Sequence, residues 1–217
     1  VEVATVEGVT TDLLPTVISR LREDFPNITI GIATLGSQAI PDTVASGAAD
    51  LGLAFALPRT AELRQLTLAR FRLGAVVPPD HPLARRREVS VATCMAYPRV
   101  LAKQDLSVHH LMRPAMERAG ADTRGVVRSG SVELSKELAR RGIGVAFQTR
   151  IGLAADLNRG SLVHLPLNDA GPVYSDLGIY ARAGRALPVA VDAFARLLGE
   201  EMARREAAEA AQLPVPS

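Results

Sequence analysis

A chain of 217 residues that is 47% apolar and 22% charged can bury a core as one large domain or two lobes, which excludes a disordered polypeptide. A net charge of +2 provides no basic surplus of the kind a nucleic-acid surface requires. The lone cysteine, Cys94, excludes an internal disulfide and any multi-cysteine metal site. No long apolar run or secretory leader is present in the sequence, so the reading is a reduced, cytoplasmic protein without cofactor or metal.

The first part of the chain alternates between strand and helix signals. Val1–Thr5 is β-rich. Leu13, Leu14, Val17, Ile18, Leu21 and Phe25 make a helical stripe over Thr10–Asp24, stopped by Pro26. Ile28–Thr34 has apolar residues at period two, and Ser37–Ser46 reads as a short helix closed by Gly47. Leu51–Phe55 is nearly all apolar, as in a buried parallel sheet. This order predicts right-handed βαβ units.

Leu66–Val77 is extended and ends in the rigid Pro78-Pro79-Asp80-His81-Pro82 turn. A second set follows: strands at Arg99–Ala102, Gly125–Arg128, Ile143–Phe147 and Leu162–Leu165, and helices at Ser107–Ala119, Ser131–Arg141 and Arg150–Leu157. Val173–Ala181 is extended again. Leu187–Glu206 is an amphipathic helix, with Glu200/Arg204 and Glu201/Arg205 as exposed pairs. The predicted fold is α/β, two Rossmann-like lobes joined by two extended crossings. Lobe I spans 1–75 plus 178–206, lobe II spans 76–177, and 207–217 is a flexible tail.

In order and spacing, several segments match one family. They are Leu13-Leu14-Pro15, Phe25-Pro26-Asn27-Ile28, Gly36-Ser37 and Gly47-Ala48-Ala49-Asp50-Leu51-Gly52. Pro78 to Ala84, Gly142-Ile143-Gly144-Val145-Ala146 and Gly160-Ser161-Leu162-Val163 continue the series. On these the chain resembles, from residue 1 to about 203, the effector-binding domain of LysR-type transcriptional regulators. The resemblance implies a fold like type 2 periplasmic binding proteins, with a small-molecule effector in the inter-lobe cleft. It also implies a dimer, a tetramer in the full-length protein, and DNA binding through an N-terminal winged helix-turn-helix. That helix-turn-helix is absent from this chain, and the abrupt start at Val1 is read as a fragment or processed boundary. Antiparallel pairing would set Leu13–Asp24 and Ile28–Thr34 against the partner's Ser107–Ala119 region. Phe147-Gln148-Thr149 departs from the Leu-Pro or Val-Pro common in the family.

Ligands of open α/β sheets bind beyond the carboxyl ends of strands. Thr5, Glu7 and Gly8 follow the first strand. By resemblance Glu7 and Gly8 occupy positions that face the effector, while the alternative readings are that Glu7 caps the first helix and Gly8 allows a tight turn. Ser37 matches the family's hydroxyl contact and is also a candidate N-cap, with Gln38 its companion. Leu101 and Lys103 open the second lobe, where Lys103 would balance an anionic effector, pair with Glu7, or be solvated. Ser131 reads as an N-cap or a ligand contact. Phe147 and Gln148 pair a ring with an amide, unless Phe147 belongs to the core. The effector these residues suit carries a carboxylate or several hydroxyls.

Enzyme chemistry finds no support. His81, His109, His110 and His164 lack metal spacing, Cys94 has no nearby His, and no nucleophile or phosphate-loop motif is present. A transporter's solute receptor and an enzyme on the same fold are the alternatives. A helix-turn-helix encoded upstream would favour the regulator, and a signal peptide the receptor.

Overall fold

The computed structural model describes residues 1–120 and 125–212. The expected tail residues Leu213–Ser217 lie outside the described residues. The chain divides into two compact units, Val1–Phe71 with the chain from Asp176 onward, and Arg72–Ser175.

In the first unit, β1 (Glu2–Thr5) lies between β2 (Gly31–Thr34) and β3 (Leu51–Phe55), parallel to both. The helices between them are α1 (Leu13–Asp24) and α2 (Ile40–Ala45). Both start later than their apolar stripes suggest, because Glu7–Val9 forms a separate 3-10 turn and Ser37–Ala39 a further turn. All five residues of β3 are buried, which accounts for its unbroken apolar run.

The Gly47–Gly52 segment has a clear physical basis. Gly47 closes the helical turn with φ +82°. The Asp50 carboxylate accepts the Glu2 N–H at 2.9 Å, while the Asp50 N–H donates to the Glu2 carbonyl at 2.8 Å. Gly52 lets α2 approach β3, since a Cβ there would lie 2.8 Å from Ile40 Cγ2.

The chain leaves through β4 (Leu63–Val77) and returns through β9 (Tyr174–Arg182), which pairs antiparallel with β3. The final helix α7 (Val189–Gln212) packs on α1. It runs past Glu206 through Ala207–Gln212, because Ala and Glu propagate helix well. Of its expected charge pairs, Glu201/Arg205 forms, though on a buried carboxylate, while Glu200 pairs with residues other than Arg204. Glu201 is buried, and its carboxylate takes both Arg204 and Arg205; Glu200 pairs with Arg20 and Arg196. Arg205 in turn reaches Asp12 at 3.0 Å, so an ionic chain ties α7 to the start of α1.

The second unit holds α3 (Val91–Cys94), β5 (Val100–Ala102), α4 (Ser107–Arg118), β6 (Val127–Ser129) and α5 (Val132–Arg140). It closes with β7 (Ala146–Thr149), α6 (Ala154–Arg159) and β8 (Val163–Pro166). β5 and β6 are parallel, and the far part of β4 pairs antiparallel with β7 and β8. Period-two alternation separates two cores. Leu73, Ala75, Leu101, Val145 and Phe147 pack with α3 and α4, whereas Val76, Val100 and Ala146 pack against Ala139 and Leu153 on the other face.

Behind that second core lies a buried ionic cluster joining α5 to α6. Lys136 Nζ donates to the Gly152 carbonyl at 2.8 Å and lies 3.6 Å from Asp156. Asp156 also accepts Arg140 at 2.8 Å and Ser161 at 3.0 Å. Burial alone would raise the Asp156 pKa, but these hydrogen bonds and the neighbouring positive charges outweigh it and hold the carboxyl below its ordinary value. Its stabilising contribution is therefore complete above the unfolded carboxylate range and is lost as pH falls through the depressed folded value. Asp156→Ala is expected to destabilise the protein by about 1–3 kcal/mol at pH 7, because it removes the buried acceptor of Arg140 and Ser161, while Lys136 keeps Glu133 at 2.8 Å. In urea titrations the penalty should shrink toward pH 3; a pH-independent penalty would contradict this role.

Candidate functional site

Two side chains in the predicted set bury polar atoms without a hydrogen-bond partner among the described residues. One is Ser37 Oγ in the first unit, and the other is Gln148 Nε2 in the second. Ser37 is 7% exposed and Gln148 5%. A buried polar group left unpaired costs about 1–3 kcal/mol, so such atoms are uncommon and need a reason. The capping explanation for Ser37 does not hold. α2 begins at Ile40, its N-cap is Ala39, and no side chain caps it. The hydroxyl instead sits in the turn that follows β2.

Thr5 and Gly8 are buried at the end of β1. The Thr5 hydroxyl donates to the Leu53 carbonyl at 3.2 Å. Gly8 does not have the positive φ of a glycine-requiring turn, and a Cβ added there would meet nothing within 4 Å. The tight-turn explanation therefore fails, and space remains over its backbone. Glu7 is half-buried in the 3-10 turn and is not the N-cap of α1, which is Asp12. Gln38 is exposed.

In the second unit, Ser131 caps α5, its Oγ accepting the Leu134 N–H at 3.1 Å. Lys103 is exposed and makes no ion pair among the described residues; its backbone N–H donates to the Ser129 carbonyl at 2.9 Å. Strand alternation separates Phe147 from Gln148. Phe147 joins Leu101 in the core beneath α4, while Gln148 turns to the opposite face. A ring and an amide presented side by side are thus not formed. The Gln148 carbonyl accepts His164 Nε2–H at 3.1 Å. Burial and the positive charges of Arg150 and Arg72 push the His164 pKa down to about 3, so this ring is neutral at physiological pH.

Sequence reasoning missed a cavity of about 250 Å³ in the second unit, lined by Leu101 and Phe147 together with α4 residues. The four-residue spacing of Val108, Met112 and Met116 was visible. The strand register that places Arg128 beside them was not.

The sequence model of the LysR substrate binding domain matches residues 1–203, and the chain belongs to that family. It is 27% identical over 152 residues to the HTH-type transcriptional regulator CbbR of Cereibacter sphaeroides, covering 70% of this chain and 49% of CbbR. The chain thus spans about half the length of that relative. Among solved structures it resembles HinK, a LysR family regulator from Pseudomonas aeruginosa, with a TM-score of 0.79 and 20% identity over 93% of this chain and 70% of that one. It likewise resembles the regulatory domain of CcmR from Synechocystis PCC6803, solved in complex with 2-PG. There the TM-score is 0.79 with 19% identity, over 92% of this chain and 95% of that one. The fold is the α/β fold of LysR effector-binding domains, as the sequence segments implied.

Among the described residues no group of three His, Cys, Asp or Glu side chains could hold a metal ion, and no helix is long and apolar enough to cross a membrane. Cys94 is fully buried, and burial, then the Asp169 charge, push its thiol up to about 12. At pH 8 only about one molecule in ten thousand carries the thiolate that reacts. Ellman's reagent is therefore expected to leave the native protein unlabelled at pH 8 and to titrate one thiol after unfolding in urea. Rapid labelling of the native chain would contradict this burial.

Proposed function

We propose that this chain is the effector-sensing regulatory domain of a LysR-type bacterial transcription regulator. It binds a small polar metabolite and passes the binding energy to an oligomer and to a separate DNA-binding domain. The observation that carries this reading is the pair of buried, unpartnered polar atoms, Ser37 Oγ and Gln148 Nε2, in a chain of this family. A polar ligand group would satisfy either atom.

The ligand class is a small organic molecule with a carboxylate or several hydroxyls. Thr5, Glu7, Gly8 and Gln38 belong to the same contact surface in the first unit. In the second unit Lys103 and Ser131 are the companions of Gln148, with Lys103 available to balance an anion, whereas Leu101 and Phe147 lie in the core beneath α4. The open space over Gly8 supports close approach of the ligand to backbone. The protein acts in the cytoplasm by binding, without catalysis or cofactor.

Thermal-shift screening of metabolites finds the ligand by mass action, since a specific binder raises the melting temperature. For such a binder, Ser37→Ala and Gln148→Ala are each expected to weaken affinity about 5- to 30-fold by calorimetry, the equivalent of one lost buried hydrogen bond. Gly8→Leu should fold normally and block binding. Unchanged affinity in both alanine variants would overturn the site.

The dimer implied by the family is part of the proposal. β2 is an edge strand of its sheet, and Ile32 on it is 39% exposed. Among the described residues β6 pairs only with β5 and is the second open edge. Edges of this kind are normally covered or paired. Sedimentation at micromolar concentration is expected to show a dimer; a monomer alone would contradict this pairing.

A further inference from the structure

In the second unit the far part of β4 pairs with both β7 and β8. Gly74 lies directly opposite Gln148 of β7, and Val76 lies opposite His164 of β8. Arg72, Gly74 and Val76 alternate onto one face of β4, so Gln148 and His164 stand on that same face. The glycine is what lets the two meet. A Cβ at Gly74 would collide with His164 Nε2 and lie 2.5 Å from its Cε1, so the imidazole fills the space over the glycine. From there the ring donates Nε2–H to the Gln148 carbonyl at 3.1 Å.

That bond fixes the tautomer. A carbonyl only accepts, so the proton sits on Nε2 and Nδ1 of the neutral ring keeps its lone pair. Burial and the charges of Arg150 and Arg72 hold the ring neutral, which preserves the lone pair. His164 Nδ1, an acceptor, has no hydrogen-bond partner among the described residues, and neither has Gln148 Nε2, a donor. The two side chains are 7% and 5% exposed. One sheet face thus carries a buried acceptor and a buried donor on neighbouring residues, both unmet. Their chemistry is complementary to a single kind of group, one that accepts from Gln148 and donates to His164. A hydroxyl or a primary carboxamide does both. A carboxylate accepts from Gln148 but has no proton for Nδ1, and it sets its charge against that lone pair.

We propose that His164 is a specificity-determining residue for the ligand of the sensing function above, a reading on which this inference rests. Together with Gln148 it takes a neutral ligand group that both donates and accepts a hydrogen bond, a hydroxyl or a primary carboxamide, and it discriminates against a carboxylate at the same place. A carboxylate elsewhere on the ligand is held away from this pair. Gly74 is the positioning residue, because any side chain there would push the imidazole off β4.

The test titrates the whole ¹⁵N-labelled chain with acetamide and with sodium acetate. The two probes have nearly the same size and shape, and at neutral pH only acetamide has a proton to donate. Both are small enough to enter between side chains and reach covered atoms. His164→Gln assigns the ring signals of His164. Ring-nitrogen spectra should first show His164 protonated at Nε2 alone. Acetamide should then move the His164 Nδ1 resonance saturably, and ethanol should act likewise. Acetate should bind about fivefold more weakly, the equivalent of one missing hydrogen bond, and Gln148→Ala should weaken acetamide by a similar factor. His164→Gln keeps a donor for the Gln148 carbonyl and loses the ring acceptor, so in that variant the Gln148 side-chain amide should no longer distinguish acetamide from acetate. The proposal is overturned if His164 carries its proton on Nδ1, if acetamide and ethanol give no saturable shift, or if acetate matches acetamide in the parent chain. A metabolite whose affinity depends on Ser37, together with a failed acetamide titration, would overturn this inference alone. A successful titration in a chain that binds no metabolite would overturn the sensing reading instead.

Discussion

Because β1 pairs in parallel with β2 and β3, three successive strands leave their sheet at the same edge. Parallel ladders require crossover helices, and those crossovers leave Gly8 and Ser37 in the turns that follow β1 and β2. β5 and β6 repeat the arrangement in the second unit, with Lys103 and Ser131 after their carboxyl ends. Were β1 and β2 joined as an antiparallel hairpin, Thr5 and Thr34 would lie at opposite ends. Most of the candidate contact surface is thus a consequence of strand direction, before any side chain is chosen.

Side-chain chemistry then works against local stability at two points. The unpaired Ser37 hydroxyl and Gln148 amide each cost about 1–3 kcal/mol in the unliganded protein. The surrounding structure tolerates this because its framework is fixed elsewhere. In the first unit, Arg205 joins Glu201 on α7 to Asp12 at the start of α1. In the second, Lys136 and Arg140 on α5 share Asp156 on α6. A rigid scaffold with unsatisfied donors suits recognition, since the ligand supplies the missing partner without an ordering cost.

Much of this was legible in the sequence. β3 announced itself by five consecutive residues of buried character, α1 by its 3.6-residue stripe, and the Gly47–Gly52 segment by two glycines whose reasons differ, a left-handed turn and a close helix. Other features depend on information that periodicity does not contain. α3 is a single turn and has no period to read. Ser37 has the composition of a cap, but only the structure shows that its helix starts beyond it. Glu201 falls on the face of α7 that packs inward, where two arginines neutralise it. Phe147 and Gln148 are adjacent in sequence and opposite in space, a consequence of the strand reaching as far as Thr149. The cavity beneath α4 needs three strands in register, and pairing of that kind is long-range.

The central claim is that this LysR-family domain is a sensor whose ligand satisfies the buried Ser37 hydroxyl. Hydrogen–deuterium exchange read by mass spectrometry, with and without the metabolite giving the largest thermal shift, tests it most directly. Slowed exchange in the Gly36–Ala39 turn that carries Ser37 is the predicted result. Unchanged exchange in that turn at saturating ligand would contradict the account.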